Sequence, residues 1–83
     1  MTLQSFKNLT PKQKRRALLR KGIYLADRTT SSFSVFLFRL GDLFVELFFI
    51  RENDEVVCVR PVKAMNAFRH YNLKGSEKLA IAH

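Results

Sequence analysis

The sequence predicts an α+β fold: a basic N-terminal helix, an antiparallel β-meander of three to four strands and a short C-terminal helix. Three observations predict it. Residues 33–60, FSVFLFRLGDLFVELFFIRENDEVVCVR, are three short apolar runs separated by two turn signals, and they hold six of the eight phenylalanines. Upstream, Thr10, Pro11 and Gln13 stand where an N-cap, a first helical residue and the third residue of a capping box belong. Downstream of Pro61, apolar residues recur at three-residue spacing.

A chain of 83 residues fits one small domain, 1–83, which buries roughly 60–65% of its unfolded surface and has little stability to spare. Oligomerisation would enlarge such a core. Residues 1–9 and 76–83 are expected to be loosely ordered tails. The single cysteine excludes an internal disulfide, and Cys58, inside a strand run, reads as a small buried hydrophobe. MTLQSFKNLT has no apolar run of signal-peptide length, so the expected location is cytoplasmic.

The first helix is expected over Pro11–Lys21, anchored by Leu18 and Leu19. Gly22 would lie just past its end, with Ile23 as the apolar residue of a Schellman-type stop. Two readings of the next segment, IYLADR (Ile23–Arg28), stay open. It is a fourth strand ahead of the meander, followed by a loop over Thr29–Ser32, or it continues the helix to Arg28, because Leu19, Ile23 and Ala26 keep helical spacing.

Within the meander, Gly41-Asp42 suits a two-residue hairpin turn, because glycine takes positive φ at no steric cost and primed turns match strand twist. That pairs Leu40 with Leu43. At Asn53-Asp54 a two-residue loop would set Glu52 opposite Glu55, a repulsive pair, so a four-residue loop, Glu52–Glu55, is expected. The strands are then Phe33–Leu40, Leu43–Arg51 and Val56–Arg60, the last ended by Pro61. A second helix carries Val62, Ala64, Met65 and Phe68 on its apolar stripe and runs to about Tyr71. Asn72–Gly75 is its exit, with Leu79 and Ile81 docking beyond.

Period-two reading assigns Ser34, Phe36, Phe38 and Leu40 to one face with Leu43, Val45, Leu47 and Phe49. The other face carries Phe33, Val35, Leu37 and Arg39 beside Phe44, Glu46, Phe48 and Ile50, extended by Val57 and Val59. Both are mostly apolar, unlike a sheet with one wet face. Either helices cover both, or the second meets another chain, for which Phe33, Val35, Leu37, Phe44, Phe48 and Ile50 are the candidate interface residues. Arg39 and Glu46 mark the rim of that second face. The window Phe33–Ile50 nearly reaches the length of a membrane span, but Arg39, Asp42 and Glu46 would each cost about 2.5–3.5 kcal/mol near the bilayer centre. No integral membrane association is expected.

Charge is distributed unevenly. Residues 1–28 hold eight Lys and Arg against Asp27 alone, whereas the other 55 residues hold seven against six acids. Six of the basic residues, Lys12, Lys14, Arg15, Arg16, Arg20 and Lys21, lie on the first helix with no acid among them. Like charges at i, i+4 destabilise an isolated helix by about 0.2–0.5 kcal/mol per pair, and an anionic partner would remove that cost. Nucleic acid, RNA or DNA, is the polyanion such a helix fits, because each phosphate neutralised releases a counterion. The order of helix, three strands and helix resembles the double-stranded RNA-binding domain in topology alone. That family carries a lysine-rich start to its second helix, and the matching place here, PVKAMNAFRH, holds Lys63 alone.

Chemistry-bearing residues are few. The two histidines are His70 on a helix surface and His83 at the last position, so no ligand set of His and Cys at metal spacing exists and no cofactor is implied. Thr29, Thr30, Ser31 and Ser32 read as a turn cluster, since no glycine-rich loop leads from them into a helix. The expected function is therefore non-enzymatic. It is either that of a nucleic-acid-associated accessory protein or that of an assembly module, a homodimer joined through the second sheet face.

Overall fold

Two threonines start the two N-terminal helices. In α1 (Leu3–Lys7) the Thr2 hydroxyl accepts the Ser5 N–H at 3.1 Å. In α2 (Pro11–Lys21) Thr10 and Gln13 complete the capping box, with the Gln13 N–H donating to Thr10 Oγ1 at 3.1 Å and the Thr10 N–H to Gln13 Oε1 at 2.9 Å. The computed structural model describes residues 1–71. The expected exit at Asn72–Gly75 and the docking of Leu79 and Ile81 lie outside the described residues, as do the side chains of Phe68 and His70. Residues 1–9 are more structured than the sequence suggests, because Phe6 on α1 is fully buried and anchors that turn of helix.

The helix ends as expected, but by another device. Gly22 has φ −72° and ψ 143°, an extended backbone, so no Schellman turn forms. Its N–H donates to the Leu18 carbonyl at 2.9 Å, and a Cβ at Gly22 would lie 2.5 Å from that oxygen. Glycine is required here for close approach, not for positive φ. The chain passes directly into β1 (Ile23–Thr29), which settles IYLADR as strand.

Four strands make one antiparallel sheet in the order β1-β2-β3-β4, with β2 over Phe33–Leu40, β3 over Leu43–Ile50 and β4 over Val56–Val62. Leu40 pairs with Leu43 across Gly41-Asp42. Gly41 has φ 61° while Asp42 stays on the negative side, the arrangement of a type II′ turn. Between β3 and β4 the connection is Arg51–Glu55, five residues rather than the expected four, and the Ile50 N–H donates to the Glu55 carbonyl at 2.9 Å across it. Pro61 does not end β4. It pairs with Val45 on an edge strand, where a missing N–H can face away from the sheet.

A bulge decides which residues of β4 face which way. Phe49 pairs with Val56 but Phe48 pairs with Cys58, leaving Val57 as the extra residue. Cys58, Arg60 and Val62 thereby join the second face, and Val59 packs on the first. The expectation that Val57 and Val59 extend the second face fails for this reason, and Cys58 is exposed rather than buried.

The first face is covered by α1 and α2. Phe6 and Leu18 pack there with Leu40, Val45 and Leu47, joined at the margins by Leu9, Ala17, Phe36, Phe38 and Phe49. Leu18 alone anchors the centre of α2, since Leu19 is 81% exposed. The second face is partly covered by α3 (Ala64–His70), where Leu37 and Phe44 pack with Ala67 and Tyr71. Val62 belongs to β4 and Met65 is exposed. Packing inward from this segment are Ala64, Ala67 and, just past the end of α3, Tyr71, rather than Val62 and Met65. No helix among the described residues is long and apolar enough to cross a membrane.

Candidate functional site

The six basic residues predicted from sequence all lie on α2, and the fold presents them unequally. Lys12, Arg16, Arg20 and Lys21 are exposed, whereas Lys14 and Arg15 are half-buried. Lys12, Arg16 and Arg20 follow one another at four-residue spacing, which stacks them along one side of the helix. Leu18 turns the opposite side into the core. The Lys14 ammonium lies 5.6 Å from the centre of the Phe6 ring, a cation–π contact that ties α2 to α1. Arg15 lines a shallow depression with Pro11, Lys14, Val56 and Val57. These two side chains have packing roles; Lys12, Arg16 and Arg20 form an exposed cationic stripe, and Lys21 is exposed in the last turn.

Among the described residues no acid pairs with that stripe. The ion pairs among the described residues are both made by Glu46, to Arg28 and to Arg60. Arg20 and Lys21 also sit in the last turn of α2, where the helix dipole favours cations by about 0.3–1 kcal/mol. Their charges are therefore compatible with helix stability, while those of Lys12 and Arg16 gain nothing from the dipole.

The second face holds a group that sequence reading misplaced. Glu46 is 1% exposed, at the centre of the face rather than its rim. Arg60, directly opposite on β4, donates to Oε1 at 3.4 Å. Arg28 on β1 donates to Oε2 at 3.2 Å, and the Tyr71 hydroxyl after α3 donates to the same oxygen at 2.6 Å. Both guanidinium groups also lie over the Phe48 ring, at 5.9 Å for Arg28 and 4.9 Å for Arg60. One carboxylate thus connects β1, β3, β4 and the end of α3. Burial, together with the hydrogen bond to Glu46, pushes the Tyr71 phenol well above its ordinary value. Burial acts to lower the Arg28 guanidinium, but its interactions with Tyr71 and Glu46 prevail and hold it above its ordinary value. Arg28 Nε is buried without a hydrogen-bond partner, so the cluster is not fully satisfied.

The signal for this cluster was a lone acid on an apolar strand face, which demands partners if buried. Its partners were illegible because without the bulge at Val57 Arg60 would point to the opposite face. Chemically the cluster is a fastener. Among the described residues no three His, Cys, Asp or Glu side chains come together.

Of the six candidate interface residues, Val35 and Leu37 are fully buried and Phe44 is 8% exposed. Phe33, Phe48 and Ile50 remain half-buried at the end of the face away from Phe44, with Phe33 and Phe48 edge to face at 5.9 Å. The Thr30 hydroxyl accepts the Phe33 N–H at 2.9 Å, which commits that hydroxyl to the turn before β2. No protein-family model, curated protein or solved structure matches the chain.

Proposed function

We propose that the protein is a nucleic-acid-associated accessory protein that binds phosphates through the exposed side of α2. The observation that carries this reading is the stripe of Lys12, Arg16 and Arg20, with Lys21 in the last turn, all exposed on a capped helix and paired with no acid among the described residues. Four separated cations on a rigid element suit a regularly charged polymer better than a single small anion. The reading is tested by fluorescence anisotropy with labelled RNA and DNA at about 50 mM salt, comparing the wild type with Lys12→Glu/Arg16→Glu/Arg20→Glu. The substituted positions are exposed, so the variant should keep its circular dichroism and melting profile. Binding by the wild type and a loss of at least about tenfold in the variant support the reading. Failure of the wild type to bind either polymer removes it.

A second reading assigns Phe33, Phe48 and Ile50 to contact with a second copy of the chain. It is favoured by their shared half-exposure at the end of the face away from Phe44. Sedimentation equilibrium of the wild type and of Phe33→Asp tests it, the expected result being a dimer that the substitution dissociates. Phe44→Asp would not serve, because Phe44 is core.

A further inference from the structure

We propose that the groove at the hairpin end of the sheet, between α1 and the start of α3, binds a single-chain amphiphile with an anionic head, of the fatty-acid class. None of the α2 cations lines this groove, so the proposal stands whether or not α2 binds phosphates. Short elements leave the groove open. α1 has five residues and packs Phe6 on the first face, while α3 begins with Ala64, whose methyl group is too small to fill the end of the sheet. Leu43 and Phe44 of β3 and Pro61 and Val62 of β4 line the opening with Leu3 and Ala64. Its volume is about 500 Å³, within the roughly 300–1,000 Å³ of small-molecule sites.

The walls are apolar and the rim is cationic. Phe44 is the deepest of the lining side chains at 8% exposure, whereas Leu3 is held at the surface, 44% exposed. Pro61 brings no N–H to this wall, so an alkyl chain lying there strands no donor. Lys7 and Lys63 line the same groove, both are exposed, and neither is in an ion pair among the described residues. Asp42 is the acid of the rim, and it pairs with neither lysine. Pro61, Val62 and Lys63 also border a second depression, which holds Arg60 and Asn66 with the buried Glu46. Glu46 is already shared by Arg28 and Arg60, so it does not neutralise Lys63 as well.

Charge complementarity selects the occupant. An alkyl chain covers the exposed parts of Leu3, Leu43 and Val62, and an anionic head at the Lys63 end meets a cation that has no acid of its own. A small anion would leave the walls wet, and an uncharged apolar ligand would leave the lysines unpaired. A second copy of the chain, itself at net charge +8, would bring like charge to the rim.

The test titrates the full chain with dodecanoate below its micelle concentration, by calorimetry and by methyl chemical shifts. Acetate supplies the head without the chain, dodecyltrimethylammonium the chain with the opposite charge, and phosphatidylglycerol vesicles an anionic membrane surface. The expected result is saturable binding of one dodecanoate per chain that moves the methyls of Leu3, Leu43 and Val62 and leaves Leu19, exposed on α2, unmoved. Acetate and dodecyltrimethylammonium should each bind at least about tenfold more weakly. Lys63→Glu should weaken dodecanoate by about tenfold, and Lys12→Glu/Arg16→Glu/Arg20→Glu should bind it as the wild type does. Movement of Leu19 in place of the groove methyls, or loss of binding in the α2 variant, overturns the proposal in favour of unspecific attraction to α2. Acetate binding as tightly as dodecanoate, or binding to vesicles alone, overturns it too. So do groove methyl shifts that depend on protein concentration without any probe, since a second copy would then fill the groove. The wild-type shifts decide the question even if Lys63→Glu does not fold.

Discussion

The two faces of the sheet are held down by different physics. On the first, α1 and α2 press Phe6 and Leu18 onto Leu40, Val45 and Leu47, and the centre of that interface is apolar. On the second, α3 is short, contributes Ala64 and Ala67 with Tyr71 at its end among the described side chains, and is fastened by a buried carboxylate that gathers two arginines and a tyrosine. An apolar interface draws its stability from area and tolerates small shifts. A charge cluster gains less from burial, because desolvation offsets most of its Coulombic attraction, but it tolerates the loss of no partner. The small helix is thereby fixed in position where area alone would not fix it.

Breaking each face separately tests this contrast. Phe6→Ala empties a fully buried site on the first face and is expected to cost about 3–5 kcal/mol in urea unfolding. Glu46→Ala is expected to cost a similar amount, about 3–5 kcal/mol, because Arg28 and Arg60 lose their shared partner. What separates the two is rescue. Replacing the cluster together, as Arg28→Met/Glu46→Leu/Arg60→Met/Tyr71→Phe, should recover most of the Glu46→Ala loss, since apolar groups of similar volume can substitute for a buried ion cluster. No such rescue is available to Phe6→Ala.

A smaller effect sharpens the comparison through pH. Tyr71→Phe removes one hydrogen bond to a carboxylate and is expected to cost about 1.5–3 kcal/mol near neutrality. The Tyr71 phenol is raised above its ordinary value of 10.0 in the fold. Its contribution is therefore complete below about pH 10 and is lost as the pH rises through the higher folded value. Urea midpoints at about pH 8 and pH 11 should fall further for the wild type than for Tyr71→Phe. Equal declines in both would mean that the phenol is not held in its neutral form by the cluster. The smallest of these effects belongs to the helix that covers the first face: Thr10→Ala removes the side-chain half of the capping box and should cost about 1 kcal/mol.

Sequence periodicity was a good guide wherever one strong local signal stood alone. Thr10, Pro11 and Gln13 located the start of α2, and Gly41 set the register that pairs Leu40 with Leu43. It failed where one extra residue reverses a period of two. The bulge at Val57 moved Arg60 onto the face of Glu46, and the slip between Tyr24 and Ala26 put Tyr24 and Asp27 on one face. Neither is visible as a glycine or a proline. α1 was missed because five residues carry too little periodicity, and the Thr2 cap together with the burial of Phe6 explains why they stay helical. The basic stripe was legible as composition. Which cations are free and which pack on Phe6 or β4 depended on where Leu18 points.

The most direct measurement of the proposed function is the salt dependence of binding to a single strand, from about 50 to 200 mM, for the wild type and for Arg16→Glu/Arg20→Glu. With four exposed cations on phosphates, the logarithm of the binding constant should fall against the logarithm of salt with a slope of about −3, at roughly 0.7 per phosphate. The double substitution should cut that slope by about half. A wild-type slope near zero, or one unchanged by the substitutions, would contradict a phosphate-binding α2.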